Sequence, residues 1–321
     1  HIGQANNWRH CEDCGSNLNS DRIVGGEDAT LGLHPWMVIF RAARRSVKCE
    51  DKNPSCSGWA VLGECLRNPS FMLANCRFSC NSCPPATGQQ FWSCGGSLIS
   101  SQFVLSAAHC FKANTVIEFA RIGELDLNNN PDRGNGLTAP SPQDIPIEII
   151  INHPQYQKPC TRCNDIALVK LSRPAILHQF FVAPICLPAY PEKDMGFPVS
   201  QFQGKLGIAT GWGITDVDSG TTATVLQQAQ LDIQELDFCR KHQRDYPDSS
   251  MIICAGDGKD GKDSCRGDSG GPLMLSDNFE QKWFAVGVTS FGNTICGASG
   301  SQGIYTSVYH YINWIQANMK S

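Results

Sequence analysis

The chain has 321 residues, 41% hydrophobic and 17% charged, which excludes a disordered chain and suits one large or two ordinary globular domains. Twenty-six Lys and Arg against thirty Asp and Glu give a formal net charge of −4, too balanced for a nucleic-acid or membrane-surface binder. Seventeen cysteines, no apolar run approaching the roughly 18 residues of a membrane span and a start at His1-Ile2-Gly3 without an apolar leader predict a secreted, extracellular chain whose signal peptide is already removed.

In chain order, short β-forming apolar runs recur between Gly, Pro, Asn and Asp. The first is Trp36-Met-Val-Ile-Phe40. Residues 49–83 then hold six of the seventeen cysteines, between the polar stretches Arg41–Lys48 and Pro84–Gln90, which marks a small module interrupting a larger domain. Further runs follow at Phe103–Leu105, Thr115–Phe119, Ile166–Val169 and Trp283–Val288. Many strands of this kind predict an all-β sandwich or barrel. From Val308, apolar positions 308, 311, 312, 315 and 319 follow helical spacing and predict a C-terminal amphipathic helix. No Asn-x-Ser/Thr glycosylation acceptor exists, because Asn53-Pro-Ser and Asn68-Pro-Ser carry the excluded proline.

Three strings carry chemistry: Leu105-Ser-Ala-Ala-His109-Cys110, Cys163-Asn-Asp165-Ile-Ala-Leu168 and Asp263-Ser-Cys-Arg-Gly267-Asp268-Ser269-Gly-Gly-Pro272. A serine hydroxyl is a poor nucleophile until an imidazole takes its proton and a carboxylate holds that imidazole. In the order His, Asp, Ser, the strings resemble the trypsin/chymotrypsin family of serine endopeptidases, over residues 23–48 and 84–321. The resemblance implies two six-stranded antiparallel β-barrels with a C-terminal helix. It also implies His109 as base, Asp165 as orienting carboxylate, Ser269 as nucleophile, and the backbone N–H groups of Gly267 and Ser269 as oxyanion donors.

Asp263 matches the base of the family's primary specificity pocket, with Ser264 beside it and Gly292 and Gly303 at the walls. A buried carboxylate there favours cleavage after Arg or Lys. Arg162 and Arg266 match positions bordering the cleft and imply a preference for acidic flanking residues. Arg22-Ile23-Val-Gly-Gly26 resembles the activation junction: a cut after Arg22 frees the Ile23 ammonium to pair with Asp268, so residues 1–22 read as a propeptide and the intact chain as a zymogen.

The same resemblance pairs Cys94–Cys110, Cys239–Cys254 and Cys265–Cys296, while Gly207 and Leu275 replace both halves of a further family bridge. Cys186 matches a propeptide-tethering position, so Cys14 or Cys11 pairs with it; Cys14–Cys186 is the assignment carried forward. Cys160, Cys163 and one propeptide cysteine are left open, and an odd total requires one thiol that is free or intermolecular. The two Cys-x-x-Cys pairs lack a shared local motif, so no zinc site is expected. The loop after Gly123-Glu124, with Asp126 and Asp132, resembles a family calcium loop of altered spacing, and no cofactor is expected for the reaction.

The cysteine-dense insert, Cys49…Cys56-Ser-Gly-Trp59…Cys65…Cys76…Ser79-Cys80…Cys83, resembles the ShK-toxin-like (ShKT) domain, a disulfide-rich helical unit too small for an adequate core of its own. The implied bridges are Cys49–Cys83, Cys56–Cys76 and Cys65–Cys80. Toxin members place a Lys-Tyr pair where Ser70 and Phe71 stand here, so an exosite or binding role is expected instead of channel block. The resulting expectation is a trypsin-like zymogen acting on protein and peptide substrates, with an activating protease and protein inhibitors as further partners. The alternative is a non-catalytic or toxin-like binding protein in which the insert carries the activity.

Overall fold

The computed structural model describes residues 14–17, 27–44, 50–83, 89–112, 115–216, 219–240, 246–256, 267–279, 282–292 and 302–320. Six antiparallel strands close the first barrel: β1 (Met37–Arg44), β2 (Gln90–Leu98), β3 (Phe103–Ser106), β4 (Thr115–Ile122), β5 (Gln143–Asn152) and β6 (Ala167–Leu171), in the order β1-β2-β3-β6-β5-β4. In β5 the isoleucines at 145, 147, 149 and 151 are buried while their neighbours face outward, the two-residue period of a half-buried strand. Phe40 and Phe111 meet edge to face at 5.4 Å inside this barrel's core.

Six more strands close the second barrel: β7 (Leu206–Gly211), β8 (Gln227–Gln234), β9 (Ile252–Ala255), β10 (Pro272–Ser276), β11 (Trp283–Gly292) and β12 (Gly303–Ser307). They run β8-β7-β10-β11-β12-β9 and return to β8. Leu231, Ile233, Leu273, Val286 and Tyr305 fill its interior. The register pairs Ile208 with Met274, so Gly207 and Leu275 stand opposite one another on adjacent strands.

The barrels join through buried contacts. The Trp36 indole N–H donates to Met274 Sδ and the Thr210 hydroxyl to Met37 Sδ, both at 3.0 Å, and the Trp212 indole donates to the Leu125 carbonyl at 3.1 Å. The C-terminal helix spans Ile312–Asn318, burying Ile312 and Ile315. It is shorter than the apolar spacing predicts, because Val308–Tyr311 pack as a turn that leads into it.

The insert between β1 and β2 folds as three short helices, α1 (Cys56–Val61), α2 (Glu64–Arg67) and α3 (Pro69–Asn75). Bridges Cys56–Cys76 and Cys65–Cys80 hold them together. Cys83 is also disulfide-bonded, while Cys49, its implied partner, lies outside the described residues. Asp51 accepts both the backbone N–H and the hydroxyl of Ser79, closing the module's entry onto its exit. Helix α1 packs on β5, the Asn81 amide donates to the Ile147 carbonyl at 3.0 Å, and Ala60 and Met72 belong to the same buried cluster as the first barrel. The small unit therefore gains a core by sharing its host's.

Candidate active site

His109 sits in a single 3₁₀ turn, Ala108–Cys110, directly after β3. Asp165 is buried just ahead of β6, and the pairing of Ser106 with Ala167 brings the two together. One carboxylate oxygen of Asp165 accepts the His109 backbone N–H at 2.8 Å and the other accepts Nδ1–H at 2.7 Å. That arrangement fixes the tautomer with Nε2 unprotonated and able to take a proton. The Ser290 hydroxyl donates to the same oxygen that holds Nδ1, and the Thr306 hydroxyl donates to the Asp165 carbonyl at 2.8 Å. Asn164, at φ 57°, is held by the Tyr311 hydroxyl at 2.9 Å and by its own amide on the carbonyls of Gln155 and Lys158. Sequence reading does not single out Ser290, Thr306 or Tyr311.

Ser269 lies in the turn entering β10, and its carbonyl accepts the N–H of Gly95 at 2.8 Å. Gly95 follows Cys94, which is bonded to Cys110 (S–S 1.99 Å) beside His109, so the serine turn is tied across the barrel interface to the histidine turn. Gly267 and Gly270 flank the Asp268-Ser269 pair at φ 107° and 81°, a region that glycine enters without steric cost. A side chain on Gly270 would collide with the Ser106 hydroxyl and the Gly95 carbonyl. Gly270 and Gly271 donate their N–H groups to the carbonyls of Thr289 and Asp268, which sets the turn rigidly.

Asp268 turns inward toward Gly211 and Gly213, whose missing side chains leave room for its carboxylate, and Oδ1 accepts the Gly213 N–H at 2.9 Å. Gly292 and Gly303 are paired across β11 and β12. Arg22, Ile23, Asp263, Ser264, Arg266, Cys11 and the Cys265–Cys296 pair lie outside the described residues. Cys14–Cys186 is a disulfide, with Gly15 strung between the Pro184 carbonyl and the Trp283 backbone; Cys239–Cys254 is another. Cys160 and Cys163, left open above, are bonded to each other.

Buried His34 and half-buried His153 are held neutral: desolvation pushes both down to about 4, with the nearby His310 adding to the shift of His153. Cys94, His109 and Cys110 form a compact N/S cluster, but both sulfurs are spent in one disulfide and offer no thiolate to a metal. The carboxylates of Glu124, Asp126 and Asp132 are hydrogen-bonded within their own loop and to Arg121. Leu125 N–H donates to Glu124 and Asp132, Asp126 N–H to Asp132, Asn128 N–H and the Asn129 amide to Asp126, and the Arg121 guanidinium to Glu124. Each oxygen thus already has an internal donor, and burial together with the Asp132 charge raises the Glu124 carboxyl to about 7.

A carboxylate-held imidazole beside a glycine-braced serine turn, at the seam of two closed six-stranded barrels, defines a chymotrypsin-like serine hydrolase. Residues 82–315 match the family described as "Trypsin", and residues 48–83 that described as "ShK domain-like". The chain belongs to the trypsin family and is a serine protease. It is 34% identical to phenoloxidase-activating factor 3 of Holotrichia diomphalia over 96% of this chain and 75% of that protein. It is 37% identical to serine protease ea of Drosophila melanogaster over 96% and 70% of the two chains. With melanization protease 1 of the same fly the identity is 32%, over 96% and 68%. No helix among the described residues is long and apolar enough to cross a membrane.

Proposed function

We propose that this protein is a secreted zymogen that, once cut after Arg22, hydrolyses peptide bonds following Arg or Lys through an acyl-enzyme at Ser269. Its parts are the activation segment 1–22, the peptidase domain 23–48 with 84–321, and the inserted module 49–83. The observation that carries the reading is the double hydrogen bond from His109 to Asp165. With Nδ1–H held, Nε2 takes the Ser269 hydroxyl proton as the oxygen attacks the scissile carbonyl carbon. Negative charge moves to the carbonyl oxygen, toward the N–H groups of Gly267 and Ser269. Collapse breaks the C–N bond, and His109 returns the proton to the departing amine. Water, deprotonated by the same imidazole, then releases the acid and regenerates the serine. No cofactor takes part.

Specificity rests on Asp263 at the pocket floor with Ser264 beside it, and the facing glycines 292 and 303 leave the walls without bulk. Relatives whose names speak of activating phenoloxidase and of melanization support a proprotein as substrate; an upstream protease that makes the Arg22 cut and protein inhibitors are the further partners of this reading. After cutting, an Arg peptide is expected to be hydrolysed at least about 10³-fold faster than its Phe counterpart, a ratio within what unpaired buried polar groups can enforce. Ser269→Ala is expected to lower kcat by about 10⁶-fold. Equal Arg and Phe rates, or an active Ala variant, would refute the reading.

The insert supports a second role as an exosite. Leu62 and Leu66 on its outer side are 64% and 89% exposed, unusual for leucines and outside the shared core. Replacing both with Asp is expected to slow cleavage of a folded protein substrate several-fold while leaving a short peptide untouched; equal effects on the two would exclude the exosite.

A further inference from the structure

The disulfide between Cys160 and Cys163 closes a ring of four residues, Cys160-Thr161-Arg162-Cys163, two positions ahead of Asp165. The two sulfur-bearing residues are buried and the two between them face outward. The ring is also pinned through its backbone: Cys163 N–H donates to the Cys160 carbonyl at 3.1 Å, and Gln157 N–H donates to the Cys163 carbonyl at 2.9 Å.

What this ring presents is Arg162. Its guanidinium carbon lies 3.9 Å from the centroid of the Phe291 ring, with the Tyr246 ring parallel to Phe291 at 6.4 Å and 7°. Phe291 directly follows Ser290, whose hydroxyl reaches Asp165. The cation is therefore held at the edge of the catalytic pair from both directions, by its own turn and by the strand it rests on. No carboxylate among the described residues pairs with it. A guanidinium over an aromatic ring keeps N–H donors available for the fork that matches a carboxylate. An arginine on a free loop would lose rotamer freedom on engaging such a partner, and one already anchored at backbone and face loses less.

We propose that the Cys160–Cys163 ring is a positioning device that holds Arg162 on Phe291 as a receptor for a substrate carboxylate, so that the protease selects acid-flanked cleavage sites. The inference rests on the Arg/Lys-directed reading above and adds to it the device that sets the flanking preference. The chain's own junction, Asp21-Arg22-Ile23, has this pattern, with a carboxylate next to the cleaved arginine.

The test uses the cut, full-length protein and peptides cleaved after one Arg, with Glu or Gln placed in turn at each of the three residues on either side of the bond. The wild type is expected to favour Glu over Gln by about tenfold at its best position, through KM and not kcat, and to lose most of that ratio as salt screens the contact. Cys160→Ser with Cys163→Ser is expected to reduce the ratio to about twofold, and Arg162→Gln to about one. Arg162→Lys, on an intact ring, is expected to keep no more than about twofold, because an ammonium lacks the planar face; this arm stands even if the double serine variant does not accumulate. A wild-type ratio of one at all six positions, an undiminished ratio after opening the ring, or full retention by Lys would overturn the proposal. Loss of the Arg-over-Phe preference in the wild type would instead overturn the primary reading, and the two failures are separable in one data set.

Discussion

Asp165→Asn is expected to lower kcat by about 10⁴-fold at neutral pH while leaving the fold intact. The carboxylate accepts three hydrogens, from the His109 backbone N–H, the His109 ring and the Ser290 hydroxyl. An amide of the same shape has one acceptor oxygen and two donor hydrogens. If its oxygen keeps the backbone N–H, its NH₂ group faces Nδ1, which must then be unprotonated to accept from it. The proton moves to Nε2, and the nitrogen that should remove the serine proton is already occupied. The lost charge also leaves the imidazolium of the transition state without its counter-ion. The measurement is kcat against pH, with far-UV circular dichroism confirming the fold. A loss below tenfold at pH 7 would mean that Asp165 does not set the histidine tautomer.

Asp268→Asn is expected to leave cutting after Arg22 unaffected and to lower activity on an Arg peptide by about 10²–10³-fold, the cost of a missing oxyanion donor. Asp268 stands between Gly267 and Ser269, the two proposed donors, and its carboxylate is already directed inward onto the Gly213 N–H. A free Ile23 ammonium drawn to that carboxylate would hold the turn in the donating conformation. An amide keeps the Gly213 contact and loses the charge. N-terminal sequencing of the cut chain, together with kcat/KM, separates failed cleavage from failed ordering. A fully active, fully cut Asn variant would remove the proposed switch.

Much of the site was legible because its chemistry lies in short strings: His109, Asp165 and Ser269 each sit inside a local context that resembles a known family. What steadies them was not. Ser290, Thr306 and Tyr311 reach Asp165 and Asn164 across 125, 141 and 147 positions, and a hydroxyl in a strand carries no mark of its distant partner. The Cys160–Cys163 bond was open for a related reason, since spacing alone does not choose among several cysteines. Strands were readable where apolar residues cluster, as at Trp36–Phe40. They were not where glutamines make up half of a strand, as in β8, where Gln228 is itself buried, because there the sheet context and not the residue type supplies the preference.

The shared core of insert and barrel has a mechanical consequence. Ala60 and Met72 pack into the same apolar mass as the strands beneath the histidine turn, so the helical knob has no swivel of its own. A macromolecule gripping its outer leucines would be registered at a fixed span from the bond-cutting groove, and the insert would act as a gauge that admits only those loops whose reach equals that span.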